Sequence, residues 1–294
     1  MANIVFLQVR GLRRTAEICD LKESLIPPGG PRGRTHPLNI IPPALAEDTG
    51  RPTAHPMVFV GNPGSGKTAV ARLLAKAYHE LGILRKPKFL EVERMDLVAR
   101  DKQTTVMKTR EVIEEARGGI LFIDEAYNLG MASKRNRLDT GADAMHEIIR
   151  SMDEAATKNG EDNHPLIIMA GFPVEMNTFL VFNSELRKRF PLTFEFPDYS
   201  CLDLAKIFID LANAKGFDLA PDLTPALLAR LLESETTAAW RSERNGRISE
   251  MLLTGCRTEV RKRFRTAQME DDIDFDSQLI VREDVENVVS AEFK

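Results

Sequence analysis

The sequence predicts an α/β domain built on a parallel sheet, followed by a smaller all-helical domain. Three observations predict it. From Met57 onward short apolar runs alternate with helix-length segments, the first of those runs ends in a glycine-rich turn, and the alternation stops after Pro197. Strands and helices that alternate along a chain form parallel strands with helices covering both faces.

The elements follow in order. Residues 1–56 form an N-terminal segment, with Pro27, Pro28, Gly29, Gly30, Pro31, Pro42 and Pro43 marking an irregular loop that leads into the first central strand. Met57–Val60 is that strand, and Lys67–Leu81 reads as a helix. Phe89–Val92 is a second strand and Thr104–Ala116 a second helix. Ile120–Ile123 is a continuous apolar run, as expected for a strand buried on both faces. Ala142–Ala156 is helical, Leu166–Ala170 is another buried strand, and Leu192–Phe196 is the last, closing a domain over 57–197. Phe89–Val92 falls between the glycine-rich turn and the Ile120 strand in sequence, which suggests that a further strand separates those two in the sheet. In residues 198–294, Leu204, Ile207, Phe208 and Leu211 keep helical spacing, as do Leu227, Leu228, Leu231 and Leu232. No further strong strand pattern occurs there.

Gly61-Asn62-Pro63-Gly64-Ser65-Gly66-Lys67-Thr68 satisfies G-x-x-x-x-G-K-[ST] directly after an apolar strand and at the start of a helix. The glycines let the backbone curl so that successive N–H groups face phosphate oxygens, and the helix N-terminus adds partial positive charge. Lys67 is expected to reach the β- and γ-phosphates, and the Thr68 hydroxyl to ligate Mg2+. A second acidic element follows in Ile120-Leu121-Phe122-Ile123-Asp124-Glu125. Asp124 ends the strand, where open α/β sheets place ligands. It can hold the magnesium shell, and Glu125 can act on the attacking water as general base. ATP and Mg2+ are the implied cofactors.

Taken with Lys108–Ile113, Leu121–Tyr127, Ala170-Gly171-Phe172, Glu185–Phe190 and Phe196-Pro197-Asp198-Tyr199, these motifs resemble the CbbX/CfxQ branch of AAA+ proteins, which includes the stage V sporulation protein K-like ATPases. The likeness is close over about 57–200 and loose beyond. It implies an AAA+ P-loop NTPase domain with a helical lid. It also implies a homo-oligomer, by precedent a hexameric ring, or tandem AAA+ partners, acting on a protein client. Arg189, with Arg187 as second candidate, resembles an arginine finger that reaches the ATP of a neighbouring subunit; surface ion pairing is the plainer alternative for both. Arg247 resembles the lid arginine that contacts the γ-phosphate. Phe172 stands near a position that is usually polar and cannot position water through a hydroxyl.

One segment departs from the pattern. Where the family carries a pore aromatic, this chain has Asp101 within Val98–Thr104, and Gln103 replaces a glycine. A carboxylate supplies no apolar grip and prefers water or a base. The stretch reads either as a solvated loop or as a pore loop of altered specificity. It also motivates the alternative function, a nucleotide-binding regulatory or scaffold subunit without remodelling activity.

Composition narrows the rest. A formal net charge of −4 gives no electrostatic footprint for nucleic acid. No apolar run approaches the roughly 20 residues that span a bilayer. Cys19, Cys201 and Cys256 are widely spaced, which argues against zinc and disulfides and for a reducing compartment, the cytoplasm. Arg10, Arg13 and Arg14 near the start give an organelle presequence as the less favoured alternative. His36, His55, His79, His146 and His164 show no ligand spacing. Ser133–Arg137 and Glu270–Asp276 read as solvated loops, and Trp240 reads as core of the helical domain.

Overall fold

Two strands, β4 (Ile120–Ile123) and β5 (Leu166–Gly171), are buried at every position and pair parallel, Ile120 against Leu166 and Ile123 against Met169. Unbroken apolar sequence leaves no face for water, so both strands sit centrally. The computed structural model describes residues 5–6, 54–130, 140–157, 163–269 and 276–293. The remainder of the proline-rich loop, Arg10, Arg13, Arg14, Cys19, His36, Ser133–Arg137 and residues 270–275 lie outside the described residues.

Contacts divide the described residues into two units. The first holds the parallel sheet in the order β1-β6-β2-β5-β4-β3, where β1 is Val5–Phe6, β2 Met57–Gly61, β3 Phe89–Val92 and β6 Leu192–Phe196. Ahead of the loop expected over the proline-rich stretch, Val5–Phe6 pairs parallel with Phe194–Glu195. One expectation about strand order is refined. A strand does separate β2 from β4, but it is β5; β3 lies outside β4 at the edge. Sequence position between two motifs does not specify spatial position, because each crossover helix can return the chain to either side of the strands already laid down. The edge placement of β3 agrees with its mixed burial, Glu91 facing Arg72 at 2.5 Å.

Alternation along the strands gives the sheet two apolar faces. Val58, Leu121, Ile123, Ile167 and Met169 pack with Ile113 of α3 (Lys102–Glu115) and with Ala144 and Ile148 of α4 (Gly141–Thr157). Phe59, on β2, meets Phe194 edge-on at 5.7 Å and Phe196 at 4.9 Å. The helix α1 (Lys67–Glu80) buries Val70, Ala71, Ala75 and Tyr78. Burial pushes the Tyr78 hydroxyl up to about 12. Three short helices complete the unit: α2 (Arg94–Leu97), α5 (Pro173–Phe182) and α6 (Ser184–Arg189).

The second unit comprises Asn62–Gly66 and the chain from Pro197 onward. Its helices are α7 (Cys201–Ala214), α8 (Pro225–Glu235), α9 (Ala238–Arg244), α10 (Arg247–Met269) and α11 (Arg282–Glu292). Ser200, Thr224 and Thr237 cap three of them through side-chain oxygens that accept from backbone N–H groups. The apolar spacing seen in sequence becomes one core: Leu204, Phe208, Leu228, Leu232, Ile248, Leu252, Val285 and Val288. Trp240 packs on it, its ring 5.1 Å from Phe293. This part is not purely helical, since β7 (Asp218–Leu219) and β8 (Leu279–Ile280) form a two-residue parallel pair. Arg263 forks onto the buried Asp284 at 2.7 and 2.8 Å. Asp284 also accepts from the Val281 N–H at 2.9 Å, so one carboxylate starts α11 and anchors α10.

Candidate nucleotide site

The turn after β2 needs its glycines. Gly64 and Gly66 have φ of +70° and +93°, the region that side-chain-bearing residues avoid. At Gly64 a Cβ would lie 2.3 Å from the Arg244 carbonyl oxygen, and at Gly66 2.8 Å from the Tyr199 hydroxyl. Asn62–Gly66 is fastened within its unit by further polar contacts. Asn62 Nδ2 donates to Asp198 Oδ1 and to Ser242 Oγ, both at 2.9 Å. Asn245 Nδ2 donates to the same Asp198 oxygen at 2.9 Å and to the Pro63 carbonyl at 3.2 Å, and the Gly246 N–H donates to the Gly64 carbonyl at 3.1 Å. Partial desolvation pushes the Asp198 carboxyl up, and hydrogen bonds from Ser242, Asn245 and Asn62 more than offset it, leaving it below the usual carboxylate range. Arg247 opens α10 and is exposed, with its Cγ 3.3 Å from where a Gly64 Cβ would stand.

In the sheet unit, Lys67 and Thr68 begin α1, the next element after β2 along the chain, and Lys67 Nζ donates to the Gly61 carbonyl at 2.8 Å. Asp124 and Glu125 follow β4. Both strands run parallel with only β5 between them, so these four residues emerge at one edge of the sheet. Ser65 is buried and its hydroxyl has no hydrogen-bond partner among the described residues. An orphaned donor in a turn whose glycines admit no Cβ fits a phosphate group better than a packed interior.

Asp124 Oδ1 accepts from the Glu125 N–H at 2.9 Å. Glu125 itself has φ 46° and ψ 42°, a left-handed conformation that costs a residue with a side chain about 1–3 kcal/mol. Strain of this kind gathers where a side chain must be aimed rather than packed. Glu125 is exposed, and its Oε2 accepts from Asn128 Nδ2 at 2.9 Å. Asn128 lies in the 3-10 turn Ala126–Leu129, and its carbonyl accepts from Arg94 Nη1 at 2.6 Å. Neither Asn128 nor Arg94 stood out in the sequence; the three-residue spacing from Glu125 is the one signal there was. Phe172 packs against Tyr127, ring centroids 6.0 Å apart, so that position is apolar in practice.

The two candidate finger residues differ. Arg187 is exposed. Arg189 is half-buried and grips Asp153 of α4, Nε to Oδ1 at 2.8 Å and Nη2 to Oδ2 at 2.6 Å, while Nη1 donates to the Glu185 carbonyl at 2.8 Å. Asp153 is a contact that sequence spacing did not reveal. Asp101 is exposed, in line with the solvated reading, and its carboxylate has a local task as well. It is the N-cap of α3, accepting from the Thr104 N–H at 2.9 Å and the Thr104 hydroxyl at 2.8 Å. Those two bonds hold its carboxyl below the usual range. The preceding residues are tied down as well. The Ala99 N–H donates to Thr105 Oγ1 at 2.8 Å, and Thr140 Oγ1 donates to the Ala99 carbonyl at 2.8 Å. Among the described residues no group of His, Cys, Asp and Glu is arranged to hold a metal by itself, and no helix is long and apolar enough to cross a membrane. A magnesium ion held by one hydroxyl, one carboxylate and phosphate oxygens needs no such group.

A parallel sheet with Lys67 and Thr68 following β2 and an acidic pair following β4, one strand apart, is the arrangement of a P-loop nucleotide-binding domain. Residues 57–198 match the ATPase family associated with various cellular activities (AAA), and residues 198–290 match a domain of unknown function, DUF8495. Stage V sporulation protein K of Bacillus subtilis (strain 168) is 36% identical over 192 residues, 65% of this chain and 57% of that protein. Protein CbbX of Cereibacter sphaeroides is 38% identical over 185 residues, 63% of this chain and 56% of that protein. ESX-1 secretion system protein EccA1 of Mycolicibacterium smegmatis (strain ATCC 700084 / mc(2)155) is 32% identical over 234 residues, 76% of this chain and 38% of that protein. The chain thus spans little more than half the length of these relatives, or less. The crystal structure of the FIGL-1 AAA domain in complex with ADP shares the fold, with a TM-score of 0.55 at 17% identity, covering 85% of this chain and 76% of that one. Residues 57–198 of the chain belong to the AAA ATPases, and their relatives place them in the CbbX/CfxQ-like group.

Proposed function

We propose that this chain hydrolyses ATP and uses the cycle to remodel a protein client. The observation that carries the reading is the emergence of Lys67, Thr68, Asp124 and Glu125 at one edge of the sheet, with a glycine turn and an orphaned Ser65 hydroxyl leading into them. Backbone N–H groups of Gly64–Lys67 and the Lys67 ammonium bind phosphate oxygens, and the start of α1 adds its dipole. Thr68 and Asp124 would hold Mg2+, which supplies charge neutralisation at the β- and γ-phosphates. Glu125 accepts a proton from the attacking water through one carboxylate oxygen.

Arg189, or Arg187, completes the reading from a neighbouring subunit in a homo-oligomeric ring. Arg187 is the guanidinium already presented to solvent; Arg189 has to keep or exchange its hold on Asp153. The family likeness suggests a phosphate-sensing role for Arg247, and its nearness to Gly64 within the same unit supports that reading. The remodelling role is what the resemblance to the CbbX/CfxQ branch implies, and the client is a protein of unassigned identity. One observation favours a second reading, a regulatory or scaffold subunit: Asp101 is spent as a helix cap and offers a client no aromatic grip.

The test is ATP turnover against protein concentration for the wild type, Glu125→Gln and Arg189→Ala. Turnover per chain should rise with concentration, and Glu125→Gln should bind ATP without hydrolysing it. Normal turnover by Glu125→Gln would falsify the base assignment. ATP binding without turnover at any concentration would favour the regulatory reading.

A further inference from the structure

We propose that Asn128 is a positioning residue for the Glu125 carboxylate, and that Arg94 holds Asn128 in place; the proposal rests on Glu125 acting as the base. A glutamate side chain is long and free to rotate, and Glu125 is exposed, so packing does not fix it. A general base must stand within about 2.6–3.2 Å of the proton it takes, which a freely turning carboxylate does only part of the time. The structure supplies one anchor, the amide of Asn128 on Oε2 at 2.9 Å. With Oε2 engaged, Oε1 is left to accept from water.

The local backbone makes this contact specific. In a 3-10 turn side chains three residues apart eclipse one another, which places residue 128 over residue 125. The Asn128 N–H donates to the Glu125 carbonyl at 2.9 Å, so backbone and side chain close on the same residue. The turn is held from outside by Arg94, the first residue of α2, through the 2.6 Å bond to the Asn128 carbonyl. α2 is fixed in turn by Glu93 and Asp96, the Glu93 N–H donating to Asp96 Oδ2 at 2.8 Å. Since α2 follows β3, and β3 pairs with β4, the base is braced from the neighbouring strand as well as from its own.

The experiment measures kcat and KM for ATP, and the affinity of a fluorescent ATP analogue with magnesium, in Asn128→Ala, Asn128→Asp, Asn128→Gln and Arg94→Ala. General-base catalysis is worth about 10²–10⁴ in rate, so loss of orientation should cost part of that: about tenfold in kcat for Asn128→Ala and about a hundredfold for Asn128→Asp. The aspartate keeps the volume and replaces a donor with a repelling carboxylate, which a merely structural role would tolerate. Asn128→Gln, which retains the amide, should recover part of the loss, and Arg94→Ala should lower kcat several-fold. KM and analogue affinity should stay near wild type throughout. If Asn128→Ala and Asn128→Asp turn over at the wild-type kcat or faster, or lose activity only through KM, the proposal is overturned. Glu125→Gln is run beside them. If it still hydrolyses ATP, the base assignment itself has failed; if it is inactive while Asn128→Asp is normal, only the positioning role has. Should the Asn128 variants not fold, Arg94→Ala decides, because it leaves residues 125–128 unaltered.

Discussion

Arg189 closes a two-pronged ion pair on Asp153, with nitrogen–oxygen distances of 2.8 and 2.6 Å. The guanidinium draws the Asp153 carboxyl below its usual range, and the carboxylate raises the arginine in return. A fork matched to two carboxylate oxygens is also matched to two phosphoryl oxygens.

Removal of that fork therefore gives the first prediction. Arg189→Ala and Arg189→Lys should both reduce ATP turnover by about 10³-fold or more if the fork acts in trans. Thermal stability should change little, because the Asp153 side of the pair is exposed to water and screened pairs contribute about 1 kcal/mol or less. Turnover assays and melting curves on the same preparations check both parts. Loss of fold with loss of activity would make Arg189 a structural residue, and unimpaired turnover would pass the role to Arg187.

Gly64 faces two obstacles at once, its positive φ and the Arg244 carbonyl 2.3 Å from any added Cβ. Gly64→Ala should weaken ATP binding at least tenfold, since an alanine there pays for the left-handed backbone and displaces the turn by more than a rotamer change can absorb. Calorimetric titration with Mg-ATP measures this. Wild-type affinity in Gly64→Ala would show that the turn tolerates another conformation.

At Asp101 the expectation concerns stability rather than catalysis. Asp101→Asn keeps an acceptor for the Thr104 N–H and should leave the melting temperature nearly unchanged. Asp101→Tyr, which restores the ring the family pattern has, removes the cap of α3 and should lower it by a few degrees. Differential scanning calorimetry of the two variants distinguishes them, and equal melting temperatures would remove capping as the reason for an aspartate there.

The Asp198 carboxyl, held below the usual range in the folded chain, predicts an acid dependence. Its contribution to stability is fully present above the unfolded-state value of about 3.9 and disappears as pH falls through the lower folded-state value. Denaturation of the wild type and Asp198→Ala should differ at neutral pH, and the difference should shrink progressively as pH falls below the unfolded-state value of about 3.9. A gap that does not begin to shrink below that value would show that the hydrogen bonds from Asn62, Ser242 and Asn245 do not depend on the charge.

Much of the fold was legible because its signals are local. The β4 run Ile120–Ile123 could only be a central strand, and the turn at Gly61–Thr68 states its own conformation through where the glycines fall. The strand order was less legible. Phe89–Val92 is adjacent to β4 in sequence on the phosphate-turn side, yet β5, more than 40 residues downstream, takes the inner place. Burial explains the exchange. The six-residue run Leu166–Gly171 has no polar side chain and needs neighbours on both sides, whereas Phe89–Val92 carries Glu91 and tolerates an edge.

The linear chain by itself determined the class of chemistry, because phosphate binding and an acidic strand end depend on residues a few positions apart. Only the tertiary structure decided which partner each functional side chain meets. Asp153 on Arg189, Asn128 on Glu125 through a 3-10 rather than an α-helical turn, and Asp101 as a cap depend on backbone path and on which surfaces pack. Those are set by the whole balance of burial and hydrogen bonding, and no short window of sequence contains it.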